Sequence, residues 1–180
     1  MDRRYLFLLS SARAHGNSAL LARRVAEGLA ETSQRWLDLT ERQMAPYRDL
    51  RPGTALPEGD LAAVMEQMRW ATDIVIVAPV YWYALPAPAK LVMDHWSGWF
   101  DAPETGFATW ARERTAYLIT ARADPDPTVT EPVETMVQRS VLWLGMRWGG
   151  ALHGVGDAVG EVAQDAAAMA AARGFLKGPR

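Results

Sequence analysis

Residues 5–18 read YLFLLSSARAHGNS, and residues 19–25 continue as ALLARRV. The first five residues are apolar and have the length and composition of a buried strand. A short polar turn containing Gly16 follows, and apolar residues then recur at helical spacing. The stretch therefore predicts a strand, a turn and a helix. Such a turn is a potential anion site, because the first N–H groups of a helix are unpaired and its dipole is positive there.

The polar residues of this turn have two interpretations. In the first, Asn17 or Ser18 caps the helix and the serines are ordinary turn residues, as in most such clusters. In the second, the hydroxyls of Ser10, Ser11 and Ser18 and the amide of Asn17 surround a phosphate. The turn contains neither Gly-x-x-x-x-Gly-Lys-[Ser/Thr] nor Gly-x-Gly-x-x-Gly, which argues against nucleoside triphosphate and Rossmann dinucleotide sites. Both interpretations stay open, and an anion bound here would best be a monophosphate ester.

Composition limits the classes of protein that fit the chain. Its 180 residues, 49% hydrophobic and 22% charged, suffice for a single domain over residues 1–180 with a buried core. The absence of cysteine excludes disulfides, thiolate metal sites and a cysteine nucleophile, so redox chemistry would need a bound cofactor. No apolar run approaches the ~20 residues of a membrane span, so we expect a cytoplasmic protein away from membranes. A net charge of −2 gives no basic footprint for nucleic acid.

The rest of the chain alternates helix and strand patterns. Further strands are predicted at 34–39, 73–78, 115–120 and 147–156, the first of them an edge strand. Five helices are predicted. The first spans 18–31, the second begins with Asp60 as its N-cap and ends near residue 70, and the third ends at 96–100. The last two span 131–146 and 160–175. Residues 40–59 carry three prolines and two glycines and predict a surface connection. Helices that alternate with strands apolar on both faces predict a doubly wound α/β sheet.

A second informative stretch, residues 79–94, reads PVYWYALPAPAKLVMD and follows the predicted central strand. Ligands of open α/β sheets bind at the carboxyl edge of the strands. Tyr81, Trp82 and Tyr83 stand in a row between prolines that restrict the backbone. Packing on top of the sheet is one interpretation of these rings. Because consecutive side chains cannot all point into one core, we favour a surface for a planar ligand.

These two stretches carry a resemblance to a known family. Residues 11–18, with Leu21 and Ala22, look like the phosphate loop of NAD(P)H-dependent flavin reductases and quinone reductases of the flavodoxin-like superfamily, whose usual form is Ser-Pro-Arg-x-x-Gly-Asn-Ser. Residues 79–94 are similar to the second flavin loop of that family and the helix behind it. The resemblance implies a flavodoxin-like, doubly wound, five-stranded parallel sheet of order 2-1-3-4-5, with helices on both faces and FMN as cofactor.

The resemblance also implies a set of cofactor-binding residues. Those of the first loop would hold the FMN phosphate, and those of the second would lie along the ribityl chain and the isoalloxazine ring: Ser11, Arg13, Gly16, Asn17 and Ser18, then Pro79, Val80, Tyr81, Trp82 and Tyr83. Relatives often have a glycine-rich turn after the next strand, whereas residues 121–127 here read ARADPDP. Arg122 in this turn would either approach the flavin ring or an incoming cofactor phosphate, or remain a solvated surface residue.

The implied activity is that of an FMN-dependent NAD(P)H oxidoreductase, in which NADPH or NADH reduces the flavin and a quinone, azo compound or free flavin is then reduced in turn. The cofactor supplies the chemistry, so no catalytic side chain is required. His15, His95 and His153 show no metal-ligand spacing, and His153 is predicted to be structural. One alternative is a flavodoxin-type electron carrier, although such carriers are usually strongly acidic. Another is a protein of this fold without cofactor.

Aromatic residues between the third and fourth strands suggest an additional surface. Trp96, Trp99 and Phe100 close the third predicted helix, and Trp110 follows in a predicted loop. Exposed aromatic side chains at this density usually mark an interface or a lid over a ligand. Members of the family that the chain resembles commonly dimerise, so the resemblance implies a homodimer. The other expected partner is a small-molecule electron acceptor.

Overall fold

A computed structural model describes residues 2–51 and 56–177 of the chain. Its strands and helices alternate in the order expected of a doubly wound protein. In chain order they are β1 (Tyr5–Leu9), α1 (Asn17–Ala26), β2 (Gln34–Asp38), α2 (Gly59–Trp70), β3 (Asp73–Pro79), α3 (Ala87–Asp101), the single turn α4 (Phe107–Trp110), β4 (Thr115–Arg122), α5 (Glu131–Trp143), β5 (Arg147–Val155) and α6 (Ala166–Ala172).

The five strands form one parallel sheet in the order β2-β1-β3-β4-β5. This is the predicted flavodoxin-like order, and the prediction of β2 as an edge strand is confirmed. The central strand β3 is buried on both faces except at Pro79, as a parallel strand covered by helices on both sides must be. Because all five strands run the same way, their carboxyl ends meet at one edge of the sheet.

Two apolar clusters cover the two faces of the sheet. Alternate side chains of β1 enter different clusters: Leu6 and Leu8 pack with residues of α2, α3 and α5, and Tyr5 and Phe7 pack with residues of α1 and α6. The ring of Phe7 also stacks on Trp36 of β2, with 4.0 Å between ring centroids. These layers hold the loops after β1, β3, β4 and β5 at a common edge.

Three helices are shorter than predicted. The helix predicted at 18–31 ends at Ala26, because Glu27 leaves the helical conformation and Gly28 has a φ of 85°. The helix predicted at 131–146 ends at Trp143, before Gly145 at φ 76°. The helix predicted at 160–175 is a 3₁₀ turn, the α6 helix and another 3₁₀ turn.

Two smaller expectations about the region between β2 and α2 also change. Asp60 is not the N-cap of α2, since the helix begins at Gly59 after Glu58. Instead, the Asp60 carboxylate accepts the Gln43 N–H at 2.7 Å and pairs with Arg42 at 3.5 Å, which fastens the connection to the helix. Part of the predicted surface connection at 40–59, residues 52–55, lies outside the described residues.

The prediction of an exposed aromatic surface at Trp96, Trp99 and Trp110 is wrong. All three side chains are buried, and they surround Phe107 with ring centroids 5.0 to 6.3 Å away. Trp110 also lies in a helical turn and not in a loop. The exposed aromatic residue in this part of the molecule is Trp143 on α5, at 72% exposure. The tryptophans predicted to form a surface therefore form part of the core beneath α3.

Candidate functional site

The loop between β1 and α1 is folded tightly on itself. Ser10 is buried, and both its N–H and its hydroxyl donate to the carbonyl of Val77 on β3, at 3.1 and 3.2 Å. The Ser11 hydroxyl accepts the Arg13 N–H at 3.1 Å. A Cβ at Gly16 would lie 2.8 Å from Ser11 Oγ and 3.3 Å from the carbonyl oxygen of Arg13, so a larger residue would displace the Ser11 hydroxyl. The loop is thereby held against the carboxyl ends of the two central strands.

The start of α1 carries an unpaired hydroxyl. Gly16 is the N-cap residue and no side chain caps the helix, so the interpretation of Asn17 or Ser18 as a cap is wrong. Ser18 is only 1% exposed, and its Oγ has no hydrogen-bond partner among the described residues. The first helical N–H groups also lack intrahelical acceptors. A buried unpaired hydroxyl beside unpaired N–H groups fits an anion such as a phosphate, whose oxygens would accept from all of them.

The side chain of Asn17 is bonded to the segment that follows β5. Its Nδ2 donates to the carbonyls of Gly156 and Ala158, both at 2.9 Å, and its Oδ1 accepts the Gly160 N–H at 2.9 Å. Arg13 Nη1 donates to the carbonyl of Asp157 at 2.7 Å. The structure thus places the Asn17 amide against the segment after β5, whereas the sequence predicted it among the phosphate ligands.

Residues 156–162, called the exit segment below, were missed as part of the site. Their sequence signal was a glycine at the end of a predicted strand and an aspartate directly after it, hence at the same edge of the sheet as the first loop. Glu161 Oε2 accepts the N–H groups of Asp157 and Ala158 at 2.7 and 2.8 Å, and these bonds hold the pKa of Glu161 below its ordinary value. Hydrogen bonds within the exit segment therefore stabilise its conformation.

A small cleft opens beside the first loop. Its lining joins the loop to the ends of β1, β2 and β3 and consists of Leu9, Ser11, Arg13, Ala14, Ser18, Ala19, Asp38 and Val77. Asp38 Oδ1 accepts both the N–H and the hydroxyl of Thr40, at 2.9 and 2.7 Å. The cleft thus brings together Ser11, Arg13 and Ser18, three of the predicted phosphate residues, with one carboxylate at its rim.

The loop between β3 and α3 presents its aromatic rings to solvent. Tyr81 and Ala84 exchange backbone hydrogen bonds of 3.1 and 3.0 Å across Trp82 and Tyr83. Both central residues have positive φ, 52° and 64°, the backbone of a type I′ turn that normally requires glycine or asparagine. Trp82 is 94% exposed. These rings therefore do not pack on top of the sheet. Backbone strain of this kind is typical of functional loops.

The end of β4 lies between the other loops. The strand continues through Arg122, so the predicted turn at 121–127 begins two residues later than expected. The Val80 N–H donates to the carbonyl of Ala121 at 3.0 Å, and the Gly156 N–H donates to the carbonyl of Arg122 at 2.8 Å. The Arg122 side chain lies over its own turn, with Nη2 3.4 Å from the carbonyl of Pro125, and its Nε has no hydrogen-bond partner within residues 2–51 and 56–177.

His153 and His95 are bonded to other parts of the molecule, and His15 lies in the first loop with its side chain exposed. His153 lies between β4 and α5, with Nδ1 2.7 Å from the buried Thr120 hydroxyl and Nε2 2.8 Å from Glu134, which agrees with the predicted structural role. His95 Nε2 contacts the carbonyl of Ala45 at 2.8 Å, and His15 is exposed. Across residues 2–51 and 56–177, no group of three or more potential ligands could hold a metal.

The fold and the site together define a class. A doubly wound parallel sheet of this order, with a hydroxyl-bearing helix start and exposed rings at its carboxyl edge, is an α/β protein of flavodoxin type. The chain belongs to the family described as flavodoxin-like fold, whose model matches residues 3–177. Within the described parts of the chain, no helix has the length and apolar character to cross a membrane.

A relative and several solved structures are similar to the chain over nearly its full length. The relative is the Bacillus subtilis protein YwqN, named as an NAD(P)H-dependent FMN-containing oxidoreductase with an activity that its name marks as provisional. It is 24% identical over 169 residues, 92% of each chain. The structure of the Trp repressor binding protein from Bacillus subtilis matches with a TM-score of 0.81 at 20% identity, over 98% of this chain and 100% of that one.

Two further structures belong to redox enzymes. The NAD(P)H:quinone oxidoreductase of Methanothermobacter marburgensis matches with a TM-score of 0.69 at 18% identity, over 100% of this chain and 98% of that one. The FMN-dependent NADH-azoreductase of Bacillus anthracis, solved in complex with FMN, matches with a TM-score of 0.64 at 16% identity, over 96% and 98%. At these identities the structural likeness establishes the fold.

Proposed function

We propose that this protein is an FMN-dependent NAD(P)H oxidoreductase that reduces a quinone, an azo compound or free flavin. The observation that carries the proposal is the buried, unpaired hydroxyl of Ser18 at the positive end of α1. The family membership and the names of the similar proteins support FMN as the ligand whose phosphate would pair with that hydroxyl.

The residues of the first loop would hold the phosphate in different ways. Ser11 and Ser18 offer hydroxyl donors, and the backbone around Gly16 and Asn17 offers N–H groups at the helix start. The Arg13 guanidinium supplies positive charge at the rim of the same cleft. These donors suit a doubly charged phosphate monoester, because charge-assisted hydrogen bonds are the strongest that such a loop can make.

The second loop would hold the ring system. Pro79 and Val80 continue the edge of the sheet, and the exposed rings of Tyr81, Trp82 and Tyr83 stand above it. Arg122 has an unpaired Nε at the neighbouring end of β4 and could donate to an oxygen of the ring or of an incoming nucleotide. Together these residues would orient a planar ligand along the carboxyl edge of the sheet.

FMN, when bound, supplies the hydride chemistry, and the protein's own residues orient the rings and exclude water. The described sequence contains no separate dinucleotide fingerprint, so the donor and the acceptor would use one face of the site in turn. This exchange is the basis for proposing a ping-pong reaction. The cytoplasm, where NADH and NADPH are abundant, is the compartment that this activity requires.

The proposal includes a homodimer. Phe100 and Trp143 pack with ring centroids 5.1 Å apart, and Trp143 remains largely exposed beside the exposed Leu142. Asp101 and Arg139, which carry opposite charges, lie along the same groove, so a two-fold axis would let them pair between copies. Analytical ultracentrifugation of the protein and of Trp143→Asp tests this: the dimer should dissociate in the variant, and a monomeric unaltered protein would refute it.

The proposed activity is tested on the purified protein. The two visible absorption bands of flavin should appear, and oxidation of NADPH or NADH should depend on added quinone. Bound FMN without oxidation of either nucleotide would refute the enzyme and leave the electron carrier of flavodoxin type. Colourless protein that does not bind added FMN would refute the cofactor itself.

A further inference from the structure

The exit segment and the phosphate loop are joined by one side chain. The Asn17 amide uses both of its donors on the carbonyls of Gly156 and Ala158, and its oxygen accepts from Gly160 at 2.9 Å and from Val162 at 3.4 Å. An amide has two N–H donors and two acceptor positions, so Asn17 has its full complement of partners. All four belong to backbone atoms about 140 positions away in sequence.

Two other contacts join the same parts of the molecule. Arg13 donates to the carbonyl of Asp157 at 2.7 Å, next to the carbonyls that Asn17 uses. The Gly156 N–H donates to Arg122 at the end of β4 at 2.8 Å. The exit segment thus connects the first loop with the end of β4, and both lie where FMN is proposed to bind.

The exit segment is fitted around the Asn17 side chain. A Cβ at Gly156 would lie 2.6 Å from the backbone nitrogen of Val162 and 3.1 Å from Asn17 Nδ2. The first contact is with backbone, which cannot move aside as a flexible side chain could. Any residue larger than glycine at this position would therefore push the segment away from Asn17.

We infer that Asn17 is a positioning residue. Its side-chain amide sets the shape of the phosphate loop by binding the exit segment, and this side chain does not contact the phosphate. The inference rests on the proposed FMN site. Ser18, whose hydroxyl is buried and unpaired, and Ser11 are then the side chains that face the phosphate. Neighbouring residues of one turn have separate tasks, because successive side chains leave a helix in different directions.

Hydrogen–deuterium exchange of the cofactor-free protein tests the contact itself. Asn17→Ala should exchange faster than the unaltered protein across residues 156–162, because the N–H groups of Gly160 and Val162 lose their acceptor. Ser18→Ala is the matched control and should leave that exchange unchanged. Equal exchange in Asn17→Ala and the unaltered protein would overturn the inference.

FMN itself separates positioning from direct contact. A phosphate that took over the Asn17 amide would free the exit segment, so addition of FMN would speed its exchange. With Asn17 as a positioning residue, FMN slows this exchange or leaves it unchanged. Faster exchange with FMN overturns the inference. Unaltered protein that binds no FMN would refute the proposed function, while the exchange of Asn17→Ala would still decide whether the contact exists.

A double-mutant cycle measures the effect on affinity. Asn17→Ala and Gly156→Ala break the same contact from its two ends, so each should weaken FMN binding about tenfold and the pair together by no more than about thirtyfold. Riboflavin, which lacks the phosphate, should bind all three variants as it binds the unaltered protein. A hundredfold loss in the double variant would mean independent effects and would overturn the inference. If Gly156→Ala does not fold, Glu161→Gln loosens the exit segment without touching Asn17 and takes its place.

Discussion

Replacement of Ser18 by alanine tests the proposed phosphate site most directly. The hydroxyl has no partner among the described residues and is 1% exposed, so the cofactor-free protein loses no hydrogen bond when it is removed. A buried unpaired polar group costs about 1–3 kcal/mol. We therefore expect Ser18→Ala to raise the free energy of unfolding of the cofactor-free protein by about 1 kcal/mol.

The same replacement should weaken FMN binding. A hydrogen bond to a charged group contributes about 1.5–3 kcal/mol, which corresponds to an affinity loss of roughly 10- to 150-fold. Quenching of flavin fluorescence gives the dissociation constants, and urea unfolding gives the stability. Riboflavin affinity should not change, since the lost partner is the phosphate.

Ser10 provides the matched control within the same loop. It is also 1% exposed, but its hydroxyl donates to the carbonyl of Val77. Ser10→Ala should therefore lower the free energy of unfolding by about 1 kcal/mol, opposite in sign to the effect at Ser18. If Ser18→Ala destabilised the cofactor-free protein as Ser10→Ala does, or left FMN affinity unchanged, the assignment of Ser18 to a phosphate would be refuted.

Three further outcomes are expected. Trp82→Gly should not lower the free energy of unfolding, because the residue is exposed at positive φ, but it should reduce the turnover of quinone; a loss of about 1 kcal/mol or more in urea unfolding would contradict this. The pKa of Glu161 is lowered in the folded state, so its stabilisation of the exit segment is present above its ordinary value near 4.5 and is lost as pH falls through the lower value. Protection factors across that segment, which correct for the slower intrinsic exchange in acid, should accordingly fall as the pH drops below 4.5 in the unaltered protein, whereas those of Glu161→Gln should be low already at pH 7 and change little in acid. Gly149→Ala should cost about 3 kcal/mol or more, because its Cβ would lie 2.2 Å from the buried ring of Tyr117; unchanged thermal unfolding would disprove this.

The order of elements could be derived from the sequence because it depends on local patterns. Apolar runs of five or six residues separated by helical periodicity are sufficient for a doubly wound sheet, and the observed strand order agrees with the family resemblance. The loop proposed to hold a phosphate could be singled out for the same reason, since its hydroxyls, its glycine and the helix start lie within eight consecutive residues. Element ends were less accurate, because Gly28 and Gly145 end helices whose apolar pattern continues beyond them.

The local sequence determined the sheet, the edge at which its loops meet and the chemistry of the loop residues. Tertiary structure decided how those residues are used. Asn17 and Ser18 are neighbours of similar polarity, yet the partners of Asn17 come from residues 156–162 while Ser18 stays unpaired. Trp96, Trp99 and Trp110 have the composition of an interface, but Phe107 and the helices around it bury them. A side chain's partners depend on which distant segments the fold brings beside it, and no local pattern contains that information.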